Sequence, residues 1–361
     1  MRIKQINDYI NKIAPYNTQM SFDNAGFLAG DINAECNTAL VCLDITPRVI
    51  KEAVELGAEL IVSHHPIIFS PLKSVTAGSI AYLLIKNNLA AICAHTNLDM
   101  ASGGVNDALA EAIGLQNIRP IIPEHEQSFY KLSVFVPKGY EEAVRKAAIH
   151  AGAGTLGAYS GCSFESEGCG RFTPLQGANP HQGTINTEEE AAEVKLELLC
   201  PPDLTGEIVR AVLAAHPYET PAYDLFVNEA VKQQSFIARI GTLKCDMFPN
   251  EFAYHVKSSL NAAAVTYTQG KDKIKTVAVC GGSGAEYWPK AKALGADAFL
   301  TGESKHHQQL EAAEAEFTLV TAGHYETEHP IAKKLSERLQ NQFPEVRFMA
   351  SAQECSPIKG V

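Results

Sequence analysis

The sequence predicts an α/β protein: an outer domain of two similar βαβ-type halves in layers, interrupted by an inserted ferredoxin-like α+β domain. Three observations predict it. In the first and last thirds, strand-length apolar runs alternate with amphipathic helical patterns, which implies parallel sheets. Those two thirds also resemble each other in sequence. The middle third reads β-α-β-β-α-β, the ferredoxin-like order. A chain of 361 residues has room for about two or three domains.

In the first third, residues 2–14 form an amphipathic helix and Thr38–Asp44 is an apolar strand. Pro47 opens the next helix, where its missing N–H costs nothing, and Gly57 closes it after Glu55. Leu60–Ser63 is a strand, Ile80–Asn87 a helix, Leu89–His95 a strand, Thr96–Gly104 a loop and Val105–Ile113 a helix. In the last third, Thr276–Cys280, Ala298–Thr301 and Phe317–Thr321 are strands, with helices starting near Ser304 and at His324. Leu56-Gly57-Ala58-Glu59 aligns with Leu294-Gly295-Ala296-Asp297, and Val41-Cys42 falls on Val279-Cys280 at the same offset. This spacing reads as an internal structural repeat. In the middle, strands are expected at Tyr130–Val136, Leu156–Tyr159, Arg171–Leu175, Val194–Cys200 and Tyr223–Val227, with helices at Glu141–Ala151 and Thr205–Ala215. The expected domains are 1–127 with 232–361, and 128–231 as the insert.

A hydrophobic fraction of 46% with 20% charged residues is that of an ordinary globular protein. The net charge of −11 argues against a nucleic-acid or anionic-membrane partner and permits cation binding. No apolar run reaches the ~18 residues of a membrane helix, and the N-terminus has no signal-peptide core. The nine cysteines include no Cys-x-x-Cys, and Cys42, Cys93, Cys200 and Cys280 lie in apolar runs. They are expected to be buried thiols in a reducing compartment, which implies a cytoplasmic protein.

The chemistry concentrates at strand ends, where open α/β sheets bind ligands. The strand Leu60–Ser63 delivers His64-His65-Pro66, and neutral imidazole is the commonest protein metal ligand. Adjacent side chains diverge on an extended chain, so the pair suits two ions better than one. His95-Thr-Asn-Leu-Asp99 follows the third strand, and Asp99 is a hard oxygen ligand suited to Mn, Fe or Zn beside imidazole. In His324-Tyr-Glu-Thr-Glu328, a helix would put His324 and Glu328 on one face. Thr301-Gly-Glu303-Ser-Lys-His306-His307 follows another strand. Each piece has a plainer reading: His95 as a turn cap, Glu326 and Glu328 as solvated acids, His306 and His307 as surface residues. Together, His64, His65, Asp99, His324 and Glu328 offer five N/O ligands. A single open zinc site needs three, so five fit two divalent ions, as in two-metal hydrolytic sites. Gly281-Gly282-Ser283-Gly284 is not a dinucleotide fingerprint, because Tyr287 stands where the third glycine belongs. It reads as a tight structural turn.

His64-His65-Pro66, Ala94-His95-Thr96-Asn97-Leu98-Asp99 with Gly103-Gly104-Val105-Asn106-Asp107, and Gly323-His324-Tyr325-Glu326-Thr327-Glu328 resemble the Nif-three-like dinuclear metal-centre family. Its members are also called GTP cyclohydrolase I type 2 homologs. Ser21-Phe22-Asp23-Asn24-Ala25-Gly26 and Asp44-Ile45-Thr46-Pro47 fit the same family. The insert resembles the PII/CutA-like domain of the longer bacterial members through Gly157–Cys162, Gly170–Pro174 and His216–Asp224. There Thr220 stands where a second acidic residue is common. The resemblance implies a two-metal site (Zn, Fe or Mn) held by His64, His65, Asp99, His324 and Glu328, a toroidal homohexamer and a cytosolic home.

The expected function is dinuclear-metal-dependent hydrolysis of a nucleotide or purine-like heterocycle, with Glu303 or His95 as proton shuttle. The rivals are a non-enzymatic metal-binding ring or sensor with a regulatory insert, and a two-metal phosphoesterase. No residue specifies GTP, and fold does not establish function.

Overall fold

The computed structural model describes residues 1–270 and 273–359. The chain divides into two compact units, Met1–His125 with Ser235–Val361, and Glu126–Gln234.

The first unit begins with α1 (Ile3–Ile13), which buries Ile3, Ile6 and Ile10 along one stripe. Strands β1 (Gly26–Ala29) and β2 (Thr38–Cys42) follow. Thr46 caps α2 (Pro47–Glu55), its hydroxyl accepting the Val49 N–H. Next come β3 (Leu60–Ser63), α3 (Ile80–Lys86), β4 (Ala90–Cys93), α4 (Thr96–Met100) and α5 (Val105–Ala112). The sheet order is β1-β4-β3-β2, parallel except for β1. The expected loop 96–104 therefore holds a short helix. One local and one long-range bond start it: Asn97 Oδ1 accepts the His95 N–H at 2.9 Å, and the distant Asp23 accepts the Thr96 N–H at 3.0 Å.

Strand β5 (Gln116–Pro137) carries the chain into the second unit. There α6 (Glu141–His150), β6 (Ser163–Phe172), β7 (Glu189–Cys200) and α7 (Thr205–Ala215) precede β8 (Tyr223–Met247), which carries it back. The strand order in this unit is β6-β7-β5-β8. Its core joins Leu132, Val134 and Val136 to Leu196 and Leu198, with Val144, Ala148, Ile208 and Val212 from the helices. Of the expected strand Arg171–Leu175, only Arg171 and Phe172 are extended, as the C-terminal end of β6, and residues 173–175 lie outside any strand. Most of β6 is exposed, so it shows no apolar alternation. Leu156 and Tyr159 form only an isolated bridge. Strands β5 and β8 are far longer than expected: their added residues mix exposed polar positions, such as Glu126 and Lys232, with buried ones, such as Ile121, Ile122, Ile237 and Ile240, and follow no simple alternation.

The first unit resumes with α8 (Pro249–Ser259), β9 (Thr266–Tyr267), β10 (Ile274–Val279), α9 (Trp288–Ala293) and β11 (Ala298–Thr301). It ends with α10 (His306–Glu314), β12 (Thr318–Thr321), α11 (His324–Glu328), α12 (Pro330–Gln342) and β13 (Arg347–Ala350). The second sheet runs β8-β10-β11-β12-β9 in this unit, with β10, β11 and β12 parallel. β13 instead joins the first sheet beside β2. Helix α5 lies between the sheets: Val105 and Ala108 pack with the first, Leu109 and Ala110 with the second.

The aligned segments adopt matching structures. Gly57 (φ +65°) and Gly295 (φ +91°) each turn a helix end into a strand. Glu59 accepts the N–H groups of Asn37 and Thr38, and Asp297 accepts those of Lys275 and Thr276. Both carboxylates thereby tie one strand to the start of its parallel neighbour. Cys42, Cys93, Cys200 and Cys280 are buried and unpaired. Among the described residues no helix is long and apolar enough to cross a membrane.

Candidate metal centre

Parallel register builds half of the site. Cys42 lies opposite Ser63, and Ser63 opposite Cys93. One residue further on, the rank is Leu43, His64 and Ala94; two further, it is Asp44, His65 and His95. His64 is therefore flanked by backbone and His65 by a carboxylate. The His64 ring reaches the Ala94 carbonyl through Nδ1 at 2.8 Å. A carbonyl only accepts, so Nδ1 carries the proton and a neutral ring presents its lone pair at Nε2. Burial, with the His95 and His65 rings adding to it, pushes the His64 pKa down to about 3 against the pull of Glu328. His64 is thus a neutral imidazole, the form in which histidine can bind a metal.

His65 Nδ1 donates to Asp44 Oδ1 at 2.8 Å, and His95 Nδ1 to Asp23 Oδ1 at 2.8 Å. His324 Nδ1 lies 3.3 Å from Glu303 Oε1. Each of the four rings therefore has its Nδ1 engaged by an oxygen, the arrangement that orients histidines around a metal. The rings crowd together, with centroids 5.0 to 5.4 Å apart from His64 to His65, His64 to His95, His65 to His95 and His65 to His324.

The carboxylates come from α4 and α11. Glu328 shares a helical face with His324, and its Oε2 lies 3.1 Å from His324 Nε2 and 3.0 Å from His65 Nε2. Asp99 Oδ1 is 3.5 Å from His64 Nε2. His64 Nε2, Asp99 Oδ1 and Glu328 Oε2 are all buried and none makes a well-formed hydrogen bond. Buried polar atoms normally have partners, and three such atoms converging suit a cation. Burial and the Glu328 charge raise the Asp99 pKa well above the usual range. Burial also opposes the charge on Glu328, but His324 and His65 hold its pKa below normal.

Three groups of side chains place possible ligand atoms within 4.8 Å of one another: His64 with His65 and His95, His65 with His324 and Glu328, and His64 with Asp99 and Glu328. The structure thus brings together His64, His65, Asp99, His324 and Glu328. His95, expected as a proton shuttle, lies inside the cluster. Glu303 sits behind His324 and accepts the Ser283 hydroxyl at 2.9 Å. His306 and His307 are exposed at the start of α10. Glu326 is buried at 8% exposure, although its segment reads as a solvated first turn.

Sequence reasoning gave no role to Asp23 or Asp44, and it read Gly282 only as part of a tight structural turn. Asp23 reaches its histidine across 72 residues, and only tertiary contact reveals it. Asp44 was within reach of the register argument, two residues past the end of β2. Gly282 (φ +59°) closes the turn after β10, and a Cβ there would overlap Glu328 Oε1 and lie 3.1 Å from His324 Nε2. The glycine-rich turn is therefore a wall of the site.

A family model described as DUF34/NIF3 (NGG1p interacting factor 3) matches residues 1–357. A Bacillus subtilis relative named GTP cyclohydrolase 1 type 2 homolog is 37% identical, over 98% of this chain and 97% of its own length. A Staphylococcus epidermidis relative of the same name is 38% identical, over 99% and 100%. Among solved structures, a Bacillus cereus protein related to NIF3 superposes with a TM-score of 0.88 at 36% identity, covering 100% of this chain and 99% of that one. Staphylococcus aureus protein SA1388 gives 0.78 at 31% identity, with the same coverage. The family match spans nearly the whole chain and carries every residue of the cluster, so this protein belongs to the DUF34/NIF3 family.

Proposed function

We propose that this protein is a hydrolase dependent on two divalent ions, acting on a nucleotide or purine-like heterocycle. The observation that carries the reading is the convergence of His64 Nε2, Asp99 Oδ1 and Glu328 Oε2, buried and without well-formed hydrogen bonds, amid rings whose outer nitrogens are all engaged. His64, His65, Asp99, His324 and Glu328 would hold the ions, with Glu328 placed to touch both groups of ligands. When bound, such ions supply Lewis-acid activation of water and of the attacked centre. The cyclohydrolase name of the relatives supports the substrate class.

The chain's own groups then have defined work. Asp44 and Asp23 fix the His65 and His95 rings and keep Nδ1 protonated. His95 presents its free Nε2 at the cluster and can carry a proton there. Glu303 orients His324 and is open enough, at 56% side-chain exposure, to pass a proton to solvent. The β-α-β-β-α-β order of Glu126–Gln234 supports an inserted ferredoxin-like, PII/CutA-like domain. We infer with it a toroidal homohexamer in the cytosol, which light scattering on the purified protein and cell fractionation would check.

The test is elemental analysis of protein purified without chelator, joined to a nucleotide hydrolysis screen. Two ions per chain are expected. Asp99→Asn and Glu328→Gln should each lose metal and turnover while keeping the fold, because an amide is a neutral and poorer ligand. Glu326→Gln, outside the cluster, should keep both ions. One ion or fewer after reconstitution with Zn, Mn or Fe would overturn the two-metal reading. Full metal without turnover on any nucleotide would overturn the hydrolase.

A further inference from the structure

The second unit contains a cleft of about 660 Å³ that the metal chemistry does not use. Its floor follows from strand register. Ser166 pairs with Lys195, Gly168 with Glu193 and Gly170 with Ala191, and opposed residues share a face of the sheet. Glycine at 168 and 170 removes two side chains in a row from that face. No atom lies within 4 Å of where a Gly168 Cβ would stand, whereas a Cβ at Gly170 would overlap the Glu193 carboxylate. The floor is bare backbone with one carboxylate lying over it.

The walls are aromatic. The rings of Phe172 and Tyr218 are 6.1 Å apart, and those of His181 and Tyr218 are 6.0 Å apart. Tyr218 is held from both ends. Its hydroxyl donates to Glu193 Oε1 at 3.0 Å, and its N–H donates to His216 Nδ1 at 3.0 Å. The buried His216 ring donates in turn from Nε2 to the Phe135 carbonyl at 2.9 Å. The wall is thus preorganised, which lowers the ordering cost of binding.

The charges do not balance inside the cleft. Arg171 is matched by Glu190 at 2.6 Å, and Lys195 shares Glu197 with Lys131, each at 3.1 Å. Glu167 is matched by Lys138 at 2.8 Å. Among the described residues Glu193 accepts one side-chain hydrogen bond, from the Tyr218 hydroxyl, and Glu219 accepts the Asn179 N–H at 3.0 Å. Neither forms an ion pair among the described residues. Two uncompensated carboxylates beside aromatic faces attract a cation by charge and by ring quadrupole.

We propose that this cleft binds a small organic cation with an aromatic or apolar body, its charge held by Glu193 and Glu219 and its body packed against Phe172, Tyr218 and His181. The test titrates phenyltrimethylammonium into the full-length protein by calorimetry at low salt, beside benzyl alcohol and benzoate as neutral and anionic probes of similar size. Saturable binding of the cation is expected in the millimolar range or tighter. Benzyl alcohol should bind at least tenfold more weakly and benzoate not at all. Glu193→Gln and Phe172→Ala should each weaken the cation at least fivefold, with circular dichroism showing an intact fold. Glu219→Gln, a change at a more open position, provides the same test should either of those variants unfold. Benzoate binding as well as the cation, equal affinity for all three probes, no saturable cation binding, or unaltered affinity in every folded variant would each overturn the proposal.

Discussion

His65 and His64 are neighbours in the chain with opposite electrostatics. Burial works against the charge on His65, but Asp44 on one ring nitrogen and Glu328 near the other raise its pKa to about 10. In the absence of a cation it is therefore protonated at neutral pH, and a divalent ion must displace that proton. Zinc titration of chelator-treated protein in two buffers of different ionisation enthalpy should show proton release, and affinity should rise with pH up to about 10. Asp44→Asn should reduce the release. The sign for stability is opposite. A raised histidine pKa stabilises the fold fully below its unfolded value of about 6.5. The chelator-treated protein should lose that contribution as pH climbs toward 10, which melting curves across that window would show. Gly282 poses a second residue-scale test. Alanine there is strained at φ +59° and overlaps Glu328 Oε1. Gly282→Ala should lose metal as well as about 1 kcal/mol of stability. Gly295→Ala, at φ +91° with open space around it, should lose similar stability and keep its metal. Retained metal in both would remove Gly282 from the site.

At the scale of elements, the connection from α4 to α5 is the joint between the halves of the first unit. Arg239, 3% exposed, donates to Asp107 Oδ1 at 2.8 Å and to the carbonyls of Met100, Ala101, Phe236 and Ala238. Asn106 donates to the Asp99 and Ile237 carbonyls and accepts the Gly281 N–H. Asp99 is thus held by groups on both sides of the unit. Arg239→Met removes one partner of a buried pair and leaves several acceptors unmet. It should cost about 3 kcal/mol, read as a drop in melting temperature by calorimetry, and should loosen Asp99 enough to lower metal affinity. The repeat was legible at this scale because Gly57 and Gly295 mark identical turns. Strands β3 and β11 were legible as apolar runs buried along their whole length. The length of β5 and β8 was not, because their added residues follow no single pattern: in β8 the mainly polar stretch 228–234, with Lys232 paired to Glu126, runs on into the buried stretch 237–241.

For the whole molecule, the chain forms two compact units. Glu126–Gln234 closes its own core around Val134, Leu196 and Ile208, and domains of about 100 residues commonly fold alone. We expect this segment, expressed by itself, to unfold in one cooperative transition in denaturant. A fragment without a cooperative transition would mean that its core depends on the rest of the chain.

The sequence alone determined the α/β alternation, the repeat and which residue types gather at strand ends, because periodicity, turn glycines and motif spacing are local properties. His324 and Glu328 could be paired from one helical turn, and His64 with His65 from one strand end. What only the tertiary structure decided is how those ends meet. Three strands in parallel register set Asp44, His65 and His95 side by side, and α11 from the far end of the chain brings Glu328 to them. The exclusion of water from His64 and Glu328 was settled there too. Burial and the approach of distant charges depend on contacts between segments far apart in the chain, and no local pattern encodes them.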